Sequence, residues 1–83
     1  KQFMEITDVG LAMDTLVYDG TLVCGTMHVY SEEDGEEYVD DFKFTYDTKT
    51  GLITTGVDIG VFGEYIAEIE EMLVDNLRTN FLK

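Results

Sequence analysis

The chain has 83 residues, 45% of them hydrophobic, and a net charge of −13 from 18 acidic and 5 basic residues. This size and hydrophobic content fit one small domain over residues 1–83 rather than a disordered tail or two domains. The scarcity of Lys and Arg disfavours direct binding to nucleic acid and to membranes, since both need basic clusters. We therefore expect a basic protein as the partner.

The predicted cellular location follows from the absence of a membrane-spanning segment, a leader and a disulfide in the sequence. No run of about 18 apolar residues could cross a bilayer, and no basic segment followed by an apolar one opens the chain. The single cysteine, Cys24, cannot form an internal disulfide. We expect a soluble protein in a reducing compartment, by default the cytoplasm.

Glycines divide the first part of the chain into alternating segments. Asp19-Gly20 and Asp34-Gly35 each lie between two such segments, a pattern typical of two-residue hairpin loops. Residues 47–51 predict a longer turn leading into a fourth strand over residues 52–60. The pattern indicates an antiparallel β-meander of about four strands, while the first ten residues fit either a strand or a short helix.

From Phe62 onward the apolar period changes from two to 3.6 residues, which predicts one amphipathic helix over residues 62–83. Five residues line its apolar side: Phe62, Ile66, Ile69, Leu73 and Leu77. The predicted fold is therefore α+β, with the C-terminal helix packed on one face of the meander.

Two-residue loops at both Asp-Gly turns would fix which residues share a sheet face. The predicted core face takes Leu16, Tyr18, Val23, Met27, Val29, Tyr38, Phe42, Phe44, Tyr46 and Leu52. The opposite face takes Leu11, Met13, Val17, Leu22, Cys24, His28, Tyr30, Val39, Lys43, Ile53 and Val57. This second face is too apolar to be left to water. We expect either the N-terminal segment or a second copy, in a homodimer, to cover it.

The segment "YSEEDGEEYVDD", residues 30–41, holds seven carboxylates and no Lys or Arg. The predicted register places Glu33 opposite Glu36 and Glu32 opposite Glu37, and facing like charges destabilise a sheet. A tight turn does not require acid, so the sign of the charge needs another explanation. The candidate partner-binding residues here are Glu32, Glu33, Asp34, Glu36, Glu37, Asp40 and Asp41.

A second acidic stripe follows the predicted helix at Glu64, Glu68, Glu71 and Asp75. Like charges four residues apart destabilise a helix, and the helix dipole favours only those near the N-terminal end. The hairpin and the helix thus both carry acidic residues that no basic residue neutralises, and both lose some stability through this repulsion. This coincidence favours negative potential as a selected property of the surface.

The hypothesis from these stripes is a non-enzymatic inhibitor whose carboxylates take the place of phosphates on a basic nucleic-acid-binding surface. Phage-encoded anti-restriction and anti-CRISPR proteins include such DNA mimics. The analogy is one of physical type, and it would place the protein in the host cytoplasm. Alternatives are an assembly module that dimerises through the apolar sheet face, with acidity serving solubility, and a divalent-cation-binding domain. An acidic surface could also serve only solubility or adaptation to high salt, with no dedicated partner.

Sites for other chemistry are poorly supported. Residues 30–41 fail the EF-hand pattern because Tyr30 and Asp41 occupy the first and twelfth ligand positions, although a loose site at Glu32, Asp34 and Glu36 stays open. Cys24 and His28 lie about 13 Å apart on one strand, too far to act as nucleophile and base. We expect Cys24 to be packed, His28 to pair with Asp41, and no catalytic residue, metal or cofactor.

Overall fold

The computed structural model of the protein describes residues 4–82. Within these residues five strands and two helices follow one another, and short 3-10 turns interrupt them at Met13–Thr15 and Gly63–Tyr65. The elements are β1 (Met4–Leu11), β2 (Val17–Tyr18), β3 (Leu22–Glu33), β4 (Glu36–Asp47), β5 (Ile53–Thr55), α1 (Ile59–Phe62) and α2 (Ile66–Asn80).

The sheet is antiparallel throughout, in the order β1-β3-β4-β5, and β2 also pairs with β3. Together with the C-terminal helix this confirms the predicted α+β class. From Met4 onward the ambiguous N-terminal segment is a strand, and it pairs with β3 at one edge of the sheet. Residues 1–3 and 83, which belonged to that segment and to the predicted helix, lie outside the described residues.

The β3–β4 hairpin follows the predicted register. Its turn residues Asp34 and Gly35 have φ values of 54° and 85°, as a two-residue type I′ loop requires. Glu33 pairs with Glu36 and Glu32 with Glu37, and the pairing continues without a shift to the far end of both strands. The local Asp-Gly signal was sufficient here because a two-residue loop fixes the register.

The first hairpin differs from the prediction by two residues. Tyr18 pairs with Val23, whereas a loop at Asp19-Gly20 would have paired Tyr18 with Thr21. The turn therefore spans residues 19–22. Asp19 is its first residue, and the Asp19 carboxylate stabilises it by accepting hydrogen bonds from the backbone N–H groups of Thr21 and Leu22. Because the shift is even, side chains keep their faces.

The core lies between the sheet and α2. Ile69, Leu73 and Leu77 are fully buried, as the 3.6-residue period predicts. The Asn76 side-chain amide donates a hydrogen bond of 2.7 Å to the carbonyl oxygen of Val9, which fixes α2 over the β1 side. Sheet residues complete this core: Ile6, Val9, Val23, Met27, Val29, Phe44 and Tyr46.

The predicted continuous helix from Phe62 is wrong at its start. The Asp58 carboxylate caps α1 by accepting from the Gly60 N–H, and a 3-10 turn follows before α2 begins at Ile66. Phe62 leaves the helical region at φ −109° and ψ 11°. Its ring is buried against Phe42, with centroids 5.6 Å apart. This packing, with the low helix propensity of nearby glycines, explains the break.

Three residues predicted to lie on the core face are exposed. Leu52 is 67% exposed in the turn before the short β5, and Tyr18 is 47% exposed near an edge, with its ring against Phe81. Tyr38 is 46% exposed. It lies near the hairpin turn, away from the β1 side that α2 covers.

Three residues predicted to lie on the outer face turn towards the core instead. Leu11 pairs with Met27 and Ile53 pairs with Tyr46, so each shares the core face of its partner. Val57 is buried beyond β5, which covers only Ile53–Thr55 and not the predicted residues 52–60. The outer face is therefore less apolar than predicted, and β1, which is part of the sheet, does not fold over it.

Leu73 and Leu52 give a matched test of this core. Replacing the fully buried Leu73 by Ala should lower the free energy of unfolding by about 2–5 kcal/mol, because it leaves a cavity. The same change at the exposed Leu52 should alter it by no more than about 0.5 kcal/mol. Urea unfolding of both variants measures the difference, and equal losses would contradict the packing described.

Candidate functional site

Three glutamates form a row across the outer face of the sheet. Glu32 of β3 pairs with Glu37 of β4 on one side and with Glu5 of β1 on the other. Neighbouring strands lie about 4.8 Å apart, so three like charges are held side by side by the backbone. Glu5 was not among the partner-binding residues predicted from the sequence, because the pairing of β1 was not predictable from its local pattern.

Moving along the strands from this row, the outer face becomes mixed. Asp8 pairs with Tyr30 and Tyr30 with Val39. In the next row His28 Nδ1 lies 2.6 Å from Asp41 Oδ1, which confirms the predicted cross-strand pair. Within residues 4–82 this is the only contact between a carboxylate and a basic side chain, so the three glutamates have no basic side chain bound to them there.

The helix-side face of the hairpin carries acid as well. Glu33 pairs with Glu36, and Asp40 lies opposite Val29 on the same face. The Tyr38 hydroxyl donates a hydrogen bond of 2.6 Å to Glu36 Oε1. This bond and the nearby negative charges raise the pKa of Tyr38, because the phenolate would lie beside a carboxylate.

The helix stripe is solvent-exposed but less regular than predicted. Glu68, Glu71 and Asp75 lie on α2, whereas Glu64 falls in the 3-10 turn before it. Since α2 packs on the core face, this stripe lies on the other side of the sheet from Glu5, Glu32 and Glu37. The predicted partner-binding residues therefore divide between two sides of the molecule, with Asp34 at the hairpin turn between them.

We call Glu5, Glu32, Glu37, Asp8 and Asp41 the outer acidic face. These residues lie on paired strands, so the backbone that carries their side chains is held by the sheet rather than by a flexible loop. Glu33, Glu36 and Asp40, with the helix stripe, make up the helix-side acids.

The outer face retains a small apolar content. Val17, Tyr30 and Val39 are exposed there, and Leu22 is half-buried. Met13 is also exposed, but it lies in the 3-10 turn between β1 and β2 rather than in a strand. The rest of the central face is polar, and a shallow concavity there is lined by residues that include Thr26, Lys43, Thr45 and Thr54.

Cys24 is exposed, contrary to the prediction of a packed side chain. It pairs with Val17 at the edge of the outer face, and Thr45 Oγ1 donates to its sulfur at 3.8 Å. Among the described residues, no three His, Cys, Asp or Glu side chains are arranged to hold a metal ion. The loose site at Glu32, Asp34 and Glu36 thus gains no support.

None of the helices in residues 4–82 is long and apolar enough to cross a membrane. Comparison of the chain with protein families, with curated proteins and with solved structures found no match. The interpretation of the site therefore depends on its own geometry and charge.

Replacing Glu36 by Gln should lower the pKa of Tyr38, since it removes both the charged acceptor and the nearest negative charge. Titration of the Tyr38 ring by NMR measures the change. Glu33→Gln is the matched control. It removes one charge on the same face but not the hydrogen bond, so its effect on the pKa should be smaller. Equal effects would contradict the hydrogen-bonded arrangement.

Proposed function

We propose that this protein is a non-enzymatic inhibitor that binds the basic nucleic-acid-binding surface of another protein, with its carboxylates supplying the negative charge that phosphates would supply there. The observation that supports this most directly is the row of Glu5, Glu32 and Glu37, held side by side on three paired strands without a basic neighbour in the described chain. Like charges at such pairing positions destabilise a sheet.

The fold itself does not call for this row. The turn at Asp34-Gly35 needs residues that accept positive φ, and it places no demand on the strand residues that flank it. Thr or Lys on the exposed strands would remove the repulsion and keep the ladder. A cationic partner gives the carboxylates a favourable role, because binding would relieve the repulsion that the free protein contains.

Preorganisation adds to the argument. The paired strands hold the carboxylate-bearing backbone in place before binding, so less conformational entropy is lost when a partner docks. The strand spacing of about 4.8 Å does not match the arrangement of phosphates along one DNA strand, which rise about 3.4 Å each along the helix axis while winding around it. We therefore propose mimicry of charge density rather than a copy of the phosphate positions.

The hairpin carries acid on both of its faces, through Glu32 and Glu37 on one and Glu33 and Glu36 on the other. A hairpin of this kind suits a groove with Arg and Lys on both walls, where each face would meet cations. The alternative of assembly through the outer face is weaker, because Leu11, Ile53 and Val57 face the core and leave fewer apolar side chains for such an interface.

A competition experiment tests the proposal. Proteins captured from a nucleic-acid-rich lysate by the immobilised chain are identified, purified and bound to a labelled DNA or RNA duplex. We expect the chain to displace the duplex, and its direct binding to the captured protein to weaken steeply as salt rises, because that contact is ionic. Captured proteins that keep their nucleic acid in a ternary complex would contradict the proposal.

Matched charge reversals show which surface acts. Glu32→Lys with Glu37→Lys changes the outer acidic face, Glu33→Lys with Glu36→Lys changes the other side of the hairpin, and Glu68→Lys with Glu71→Lys changes only the helix. All three pairs alter net charge equally. Loss of displacement in both hairpin pairs, with the helix pair less affected, is the expected pattern. Equal small effects in all three would indicate a general charge effect and no docking surface.

A further inference from the structure

One long edge of the sheet is open. β3 pairs with β4 over its whole length, but on the other side of β4 the strand β5 covers only Phe44, Thr45 and Tyr46. The Gly56 N–H adds one bond to the carbonyl oxygen of Lys43. Among residues 4–82, no strand lies beside β4 from Glu36 to Phe42. We call residues 36–42 of β4 the free edge.

The bonds near β5 show which backbone groups of the free edge point outward. Asp47 donates its N–H to Leu52, and Lys43 accepts from Gly56, so these odd-numbered residues direct their backbone groups away from β3. The direction alternates along an antiparallel ladder, and β4 has no register shift against β3. The N–H and C=O groups of Glu37, Val39 and Asp41 therefore face outward, free to bond to another strand.

We propose that an extended, cationic segment of a partner protein adds to the sheet along this free edge. The inference deepens the proposed function and rests on it for the basic character of the partner. Backbone groups of Glu37, Val39 and Asp41 would supply the hydrogen bonds, as in other cases of strand addition. The charges beside them would select the occupant.

The side chains of the free edge define the sequence that fits. Glu37, Val39 and Asp41 lie on the outer face, in the order acid, apolar, acid, and all three are exposed. A docked strand would place its own side chains next to them, so Lys or Arg at positions i and i+4, with an apolar residue at i+2, gives favourable pairs at each step. Acidic residues on the other face of the edge, Glu36 and Asp40, favour further cations there.

A second copy of this chain is a poor occupant of the same edge. Pairing two free edges would bring Glu36, Glu37, Asp40 and Asp41 of one copy beside the same four residues of the other. Like charges across strands are destabilising, and charged edges are a common protection against edge-to-edge association. The charges of the free edge therefore disfavour pairing with a second copy and favour pairing with a basic strand.

Amide hydrogen exchange of the full chain, measured by NMR, tests the inference. In the free protein the Glu37, Val39 and Asp41 amides should exchange faster than those of Tyr38, Asp40 and Phe42, which bond to β3. Adding a nine-residue peptide with Lys at positions i and i+4 and Val at i+2 should slow exchange at the first three amides by about tenfold or more. The other three should change little. The control peptide has the same sequence with every backbone nitrogen methylated, so it keeps the charge but cannot form a ladder.

Val39→Pro tests the edge from the protein side. The Val39 N–H points outward, so proline there should leave the β3–β4 ladder intact, as at other edge positions. It should weaken binding of the Lys-Val peptide by about tenfold, because it removes one donor and places a ring against the incoming strand. Val39→Ala keeps the N–H and should bind more tightly than Val39→Pro. If Val39→Pro does not fold, amide exchange in the unaltered chain, with and without the peptide, still tests strand addition.

The outcomes separate this inference from the proposed function. Unchanged exchange at the three amides with saturating peptide, or equal binding of the methylated peptide, would overturn strand addition while leaving charge-based inhibition standing. Slowed exchange together with failure of the nucleic-acid competition would support strand addition and contradict the proposed inhibitor. If the three amides are protected from exchange without peptide, and this protection increases with the concentration of the chain, the edge binds a second copy. That result would overturn the cationic occupant.

Discussion

The ladder between β3 and β4 is the constraint on which the rest of the molecule depends. It runs unbroken from the Glu33–Glu36 pair at the turn to the Leu22–Asp47 pair at the far end. β1 and β2 attach to one side of this hairpin and β5 to the other. The ladder also determines the electrostatics, because the pairing that buries Met27 and Val29 on one face places Glu32 beside Glu37 on the other. The register cannot slip by one residue to separate these charges without exposing the core.

Local signals in the sequence were enough to predict the parts of the fold that depend on local physics. Asp34-Gly35 fixes the hairpin register because only a few residue types accept positive φ at both turn positions. The 3.6-residue spacing of Ile69, Leu73 and Leu77 predicts the buried side of α2 because a helix repeats its face at that interval. The paired glutamates followed from the first of these, which is why that part of the candidate site could be predicted.

The remaining features depend on contacts between distant segments. The N-terminal strand pairs with β3 rather than with its neighbour in sequence, so Glu5 joins the acidic row and Leu11 turns to the core. The helix breaks at Phe62 because that ring packs on Phe42, a contact that helical periodicity does not contain. The free edge of β4 could not be predicted either, since it results from the shortness of β5. Strand pairing at long range has no local sequence signature comparable to a turn or a helical stripe.

The central claim is that the outer acidic face is held in place against its own repulsion. A double-mutant cycle on Glu32 and Glu37, each replaced by Gln singly and together, measures this most directly by urea unfolding at low ionic strength. The account predicts an unfavourable coupling on the order of a few tenths of a kcal/mol between the two carboxylates, which shrinks as salt is added. A coupling of zero, or one in which the two glutamates stabilise each other, would contradict it.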